Sequence, residues 1–270
     1  NLKLSEVTFL VLDEADRMLD MGFLRDIQEI ISAVSKKRQT LLFSATMPGD
    51  ILKIASDCMR LPAVIETAPP GTAIELVRQE MYIVKEEMKC GFVLELLKEN
   101  TGSVLVFTRT KKGASKITQK LKKAGIAAAE IHSDLAMHER NKSLEGFKSN
   151  KYRVLIATDI AARGIDVLGI GLVINYDLPD DASNYVHRIG RTGRAGMEGR
   201  AITLATPAQG AEVKVIGGII RQEIPVMKHA KIPDEEFACV PLIQLPKPHE
   251  AARPPKFDRH SEKKKWKNRD

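Results

Sequence analysis

The sequence predicts an α/β fold in which parallel sheets carry helices on both faces. Three observations point there. Short apolar runs alternate with segments of helical period along most of the chain. The runs are continuous rather than alternating with polar residues, as in strands covered on both sides. The polar strings that could do chemistry follow those runs directly, where parallel sheets bind ligands. Alternation of strand and helix also sets strand direction, because parallel strands need a crossover between them.

Taken in order, Val7 to Leu12 is a continuous apolar run and predicts a strand buried on both faces. Phe23, Ile27, Ile30, Ile31 and Val34 recur at helical spacing. Thr40 to Phe43 predicts the next strand. Pro48 suits the first turn of a helix, with Ile51, Leu52, Ala55 and Met59 on its apolar side. Val64 and Ile65 predict a short strand. Residues 68–75 cluster Pro and Gly and read as linker. The alternation then restarts. Strands are predicted at Met81–Val84, Val104–Phe107, Ala128–Ile131, Val154–Ala157, Leu172–Asn175 and Ala201–Leu204. Helices are predicted over 87–99, 111–123, 137–148, 182–189 and 209–221. No internal repeat interrupts this order. After residue 228 the pattern gives way to Pro, Lys and Arg.

A chain of 270 residues suits two domains, and 43% apolar content gives each a core. No stretch approaches the roughly 20 apolar residues of a membrane span, so no membrane segment is expected. The opening Asn-Leu-Lys-Leu leads straight into the first strand pattern and does not read as a signal peptide. Cys58, Cys90 and Cys239 form no metal-binding spacing, and so sparse a set favours a reducing, cytoplasmic setting. The net charge of +7 is uneven: residues 247–270 hold nine Lys and Arg against four Asp and Glu. Such a tail either adds sequence-independent affinity for nucleic acid or is simply a solvated end.

Three strings carry the chemistry. Asp13, Glu14, Ala15 and Asp16 follow the first apolar run; Ser44, Ala45 and Thr46 follow the second. His187 to Arg194 reads His-Arg-Ile-Gly-Arg-Thr-Gly-Arg. A carboxylate at a strand end can hold Mg²⁺, usually through water, while its neighbour orients or deprotonates an attacking water. The alternative is a helix N-terminus with acidic residues in its first turn. In the third string, glycine lets backbone approach a ligand closely, and arginine presents a fixed fork of donors suited to phosphate oxygens.

With these strings stand Val104 to Thr110, the run Ala157-Thr158-Asp159-Ile160-Ala161-Ala162-Arg163-Gly164-Ile165-Asp166, and Tyr185 to Arg194. In this order and spacing, the chain resembles the DEAD-box ATP-dependent RNA helicases from residue 1 to about 228. The resemblance implies RecA-like folding with one partial and one complete domain. Residues 1–67 would be the later part of the first, 68–78 the linker, 79–228 the second, and 229–270 a basic, disordered tail. It implies that Asp13 holds Mg²⁺, Glu14 activates water, and Arg191 and Arg194 reach the γ-phosphate of ATP. Gly164 and Asp166 would border the nucleotide, Asp166 through its ribose. Asp16, Ser44, Thr46 and His187 would couple the domains. RNA would be held by its sugar-phosphate backbone on Thr108, Arg109, Arg140, Thr158 and Asp159, and the protein would be a monomer.

Two departures stand out. Met137 occupies a position where the family usually has Gln, three residues before Arg140. The sequence also contains no Gly-Lys dipeptide, the core of a phosphate-cradling P-loop. The expectation is therefore a truncated chain, shortened in the gene or only in the sequence at hand, that does not hydrolyse ATP by itself and leaves an apolar sheet edge open in its first part. Two rival readings remain: a non-catalytic RNA-binding module, and a DNA helicase sharing the same core.

Overall fold

The computed structural model describes residues 3–20, 22–44, 47, 49–59, 61–65, 77–162, 167, 169–193 and 198–238. The chain divides into two compact units, Asn1–Glu75 and Leu76–Asp270.

In the first unit, β1 (Phe9–Leu12) leads to helices α1 (Ala15–Asp20) and α2 (Leu24–Ala33). Strand β2 (Gln39–Leu42) and helix α3 (Gly49–Cys58) follow. The two strands run parallel, with Phe9 opposite Gln39 and Leu12 opposite Leu42. Leu12, Ile27 and Ile54 form a small core, lined by Leu10, Ile31 and Leu42. Strand side chains alternate between faces, so Leu10 and Leu12 meet the helices. Phe9 and Val11 point the other way and are 63% and 54% exposed. This corrects the expectation of a strand buried on both faces. Among the described residues the helices pack onto one face only. The expected strand at Val64 and Ile65 is also absent; both are exposed, in irregular backbone.

The second unit is larger and regular. Its strands are β3 (Val77–Ile83), β4 (Val104–Phe107), β5 (Ala128–Ile131), β6 (Val154–Ala157), β7 (Leu172–Asn175) and β8 (Gly199–Ala205). Its helices are α4 (Glu86–Glu99), α5 (Lys111–Lys123), α6 (Met137–Lys148), α7 (Ser183–Ile189) and α8 (Gly210–Ile220). The sheet order is β3-β8-β7-β4-β6-β5, all parallel. One face packs Val104, Val106, Val154, Ile156, Leu172 and Ile174 against α4 and α5. The opposite face carries Phe107, Ala157 and Asn175 toward α6 and α7. Strand β3 starts at Val77, so residues 77 and 78, read above as linker, belong to the sheet.

After α8 the chain doubles back. Arg221 leaves the helix in the left-handed region (φ 56°). The Met81 N–H donates to the Pro225 carbonyl at 2.9 Å, and the Met227 N–H donates to the Met81 carbonyl at 2.7 Å. The outer edge of β3 is thereby paired rather than open. The His229 ring then lies 4.9 Å from Phe92 and 6.2 Å from Tyr82. Lys85 pairs with Glu235 at 3.0 Å, and the Ala238 N–H donates to the Pro207 carbonyl at 2.8 Å. The disordered tail expected from residue 229 is corrected here: residues 229–238 form a strap on the second unit. The reason is local, since Ile232 packs against the core and Phe237 against Gly210.

Candidate functional site

In the first unit, the two short strings meet at the C-terminal ends of β1 and β2. Glu14 sits in the left-handed region at φ 50°, uncommon for a residue with a side chain. Its N–H donates to Asp13 Oδ1 at 2.9 Å, which turns the chain sharply from β1 into α1. The Ala15 N–H donates to the Phe43 carbonyl at 3.0 Å, and the Asp16 N–H to Ser44 Oγ at 3.1 Å. Asp16 and Ser44, named above for coupling, are thus joined. The Glu14 carboxylate lies 2.9 Å from Arg17, whose side chain is buried. Asp13 is exposed. Among the described residues no group of three or more His, Cys, Asp or Glu could hold a metal. A single exposed carboxylate does not cage an ion, but it fits Mg²⁺ held mainly by phosphate oxygens and water. Thr46 lies outside the described residues.

In the second unit, a polar network fills the space beneath the C-terminal ends of β4, β6 and β7. Its centre is Arg188 on α7, only 1% exposed. Its Nε donates to Asp159 Oδ1 at 2.6 Å and its Nη2 to Asp159 Oδ2 at 2.7 Å, a two-pronged pair. Its Nη1 donates to the Asp177 carbonyl at 2.6 Å. The guanidinium also stacks 5.2 Å from the centre of the Phe107 ring. The Asp177 carboxylate faces the next loop: Oδ2 accepts from Thr108 Oγ1 at 2.8 Å and from the Arg109 N–H at 2.9 Å. The Arg109 side chain remains partly exposed beside Asp180.

The sequence-named residues therefore divide. Thr108, Arg109, Thr158 and Asp159 come together, because β4 and β6 are neighbours in the sheet. The Thr108 hydroxyl and both Asp159 oxygens are engaged inside the protein, so these two residues brace the loops. Arg140 on α6 has its Nε buried without a hydrogen-bond partner among the described residues. Met137, at the start of the same helix, is 66% exposed. His187 lies on α7, and Arg191 follows it, 8% exposed. Gly193 takes φ 67°, and a Cβ on Gly199 would run into the Gly193 backbone and the Thr192 side chain. Both glycines are needed for the arginine loop to sit against the start of β8. Gly164, Asp166 and Arg194 lie outside the described residues.

Sequence reasoning missed Arg188, Asp177, Asn175 and Lys89 as members of this network. Signals existed for two of them. Asp177 follows a strand by two residues. Lys89 falls in the apolar stripe of its helix, four residues before Val93 and seven before Leu96, where a lysine is out of place.

A fully parallel sheet with its polar residues gathered at the C-terminal strand ends, beside an arginine-rich helix and loop, defines a RecA-like domain of the helicase type. Residues 1–54 match the DEAD/DEAH box helicase family, and residues 88–196 match the helicase conserved C-terminal domain. The chain belongs to the DEAD-box RNA helicase family. It is 42% identical to the ATP-dependent RNA helicase CshA of Listeria monocytogenes over 238 residues, 88% of this chain and 46% of the relative. It is 42% identical to the ATP-dependent RNA helicase DbpA of Bacillus subtilis over 206 residues, 76% of this chain and 43% of the relative. The chain spans about half the length of the curated relatives it matches. Among solved structures, S. cerevisiae Dbp5 bound to RNA and ADP BeF3 is similar with a TM-score of 0.75 and 32% identity, over 84% of this chain and 61% of that one. A DEAD box protein from Methanococcus jannaschii gives 0.56 and 38% identity over the same shares.

Proposed function

We propose that this chain is part of an RNA-stimulated ATPase that separates short RNA duplexes locally. The observation that carries the reading is the gathering of the β4 and β6 loops, braced from below by Arg188 and Asp177. Arg109, Thr158 and Arg140 would face the sugar-phosphate backbone without reading bases, with Thr108 and Asp159 bracing their loops from behind. A buried Arg140 Nε with no hydrogen-bond partner among the described residues supports an anion beside α6, since a buried donor needs an acceptor. The relative solved with RNA and ADP BeF3 supports the same ligand pair.

In the assembled enzyme, Asp13 would hold Mg²⁺ beside the phosphates of ATP, and Glu14 would orient the attacking water. Bound Mg²⁺ would neutralise charge on the phosphates. Arg191 and Arg194 would meet the γ-phosphate; fingers of this kind are worth roughly 10³ to 10⁵ in rate. Gly164 and Asp166 would border the nucleotide, and Asp16, Ser44, Thr46 and His187 would couple the domains. The protein would work in the cytoplasm as a monomer. The 270 residues themselves contain no Gly-Lys dipeptide to cradle the triphosphate. We therefore assign this chain RNA binding without ATP turnover, which makes it an RNA-binding module in its own right.

Single-stranded RNA binding by the purified chain tests the reading. Arg109→Ala and Arg140→Ala should each weaken binding about ten-fold, and a matched 2′-deoxy strand should compete poorly. Unchanged affinity in both variants would overturn the RNA assignment, and equal competition by the deoxy strand would favour a DNA helicase. RNA-stimulated ATP turnover that Glu14→Gln abolishes would overturn the assignment of no turnover.

A further inference from the structure

We propose that Lys89, which lies on α4 outside the three strings, is a positioning residue for RNA binding. The inference rests on the RNA reading of the β4 loop. Lys89 lies on α4 with its side chain 2% exposed, surrounded along that helix by Phe92, Val93 and Leu96. Its ammonium is 3.5 Å from Asp177 Oδ1, 2.8 Å from Glu86 Oε2 and 5.5 Å from the centre of the Tyr176 ring. Glu86 is 62% exposed, on the solvent side of the lysine. Asp177 is held in place, its carbonyl taken by Arg188 and its Oδ2 by Thr108 and the Arg109 N–H.

One carboxylate therefore joins three elements. Lys89 reaches it from α4, Thr108 and Arg109 from the end of β4, and Arg188 from α7 through the adjoining carbonyl. A buried ammonium opposite one oxygen fixes which way the carboxylate faces, and the other oxygen then fixes the Arg109 backbone. A lysine in an apolar helix stripe is costly to bury. A methionine there would pack as well against Phe92 and Val93. Lys89 thus serves the loop rather than the core.

The discriminating experiment sets RNA affinity against stability in the full chain. Lys89→Met should stay folded with a lowered melting temperature, speed hydrogen exchange of the Arg109 amide, and weaken single-stranded RNA binding about ten-fold. Lys89→Arg, which keeps the charge, should bind within about two-fold of the parent. Asp177→Asn should weaken binding similarly, and the double variant should lose no more than either single one. Lys98→Met, an exposed change on the same helix, should bind as the parent does. A folded Lys89→Met chain with parental RNA affinity overturns the proposal, as do fully additive losses in the double variant. Should Lys89→Met not fold, parental affinity in Asp177→Asn overturns it instead. If Arg109→Ala also binds RNA normally, the failure lies in the RNA reading; if Arg109→Ala is weak and Lys89→Met is not, it lies in the role of Lys89.

Discussion

Arg188 makes the most demanding set of contacts in the second unit. Its guanidinium holds Asp159, meets the Asp177 carbonyl, and stacks on Phe107. Removing one partner of a buried pair costs more than the pair contributes, because the other is left unmatched. Asp159 keeps 22% exposure, so water offsets part of that cost. Arg188→Met should lower stability by about 3 kcal/mol in urea unfolding. Tyr185 offers a separate test by pH. Its hydroxyl donates to Gln79 Oε1 at 3.0 Å, and burial pushes the phenol from its usual 10.0 up to about 12. A raised acid pKa favours the fold below pH 10, where both states keep the proton. Between pH 10 and about 12 the unfolded chain ionises first, and that stability is lost. The urea midpoint should therefore fall over this window, and more shallowly in Tyr185→Phe.

At the scale of elements, the strap over β3 is the clearest case of cover by an unexpected segment. Residues 225–227 pair the β3 edge at Met81, and the strap that follows shields Tyr82 and Phe92 with the His229 ring. A chain ending at residue 238 should melt with the full chain. One ending at residue 228 should melt lower by about 5 °C, read by circular dichroism, because each kcal/mol lost shifts a unit of this size by about 2–4 °C. In the first unit β1 has the opposite problem. Phe9, Val11 and Phe43 are all more than half exposed on or beside a two-stranded sheet. Apolar strand faces left open invite association.

For the whole molecule, the two units differ in what they can do alone. The second has a six-stranded sheet with helices on both faces and carries all five residues proposed above for the RNA site. If about five phosphates are neutralised on it, single-strand affinity should fall roughly 100-fold between about 50 and 200 mM salt. A fluorescence anisotropy titration across that range reads the slope directly. An affinity indifferent to salt would remove the backbone-contact mechanism, because released counterions are what make such binding salt-dependent.

The amino-acid sequence alone determined the order of elements in the second unit. Strands at Val104–Phe107, Ala128–Ile131, Val154–Ala157 and Leu172–Asn175 stand where their apolar runs put them, and helices Lys111–Lys123 and Met137–Lys148 match their period. Such signals are legible because burial of a short run or a helix stripe is a local pattern. The strings around Asp13 and His187 were legible for the same reason, since each is contiguous. Only the tertiary structure decided how those strings are held. Thr108 meets Asp177 from 69 residues away, and Arg188 meets Asp159 from 29. Strand order creates these meetings by setting β4 between β6 and β7. Burial then forces each charge in the gap to find a partner, and no local pattern says which partner lies within reach.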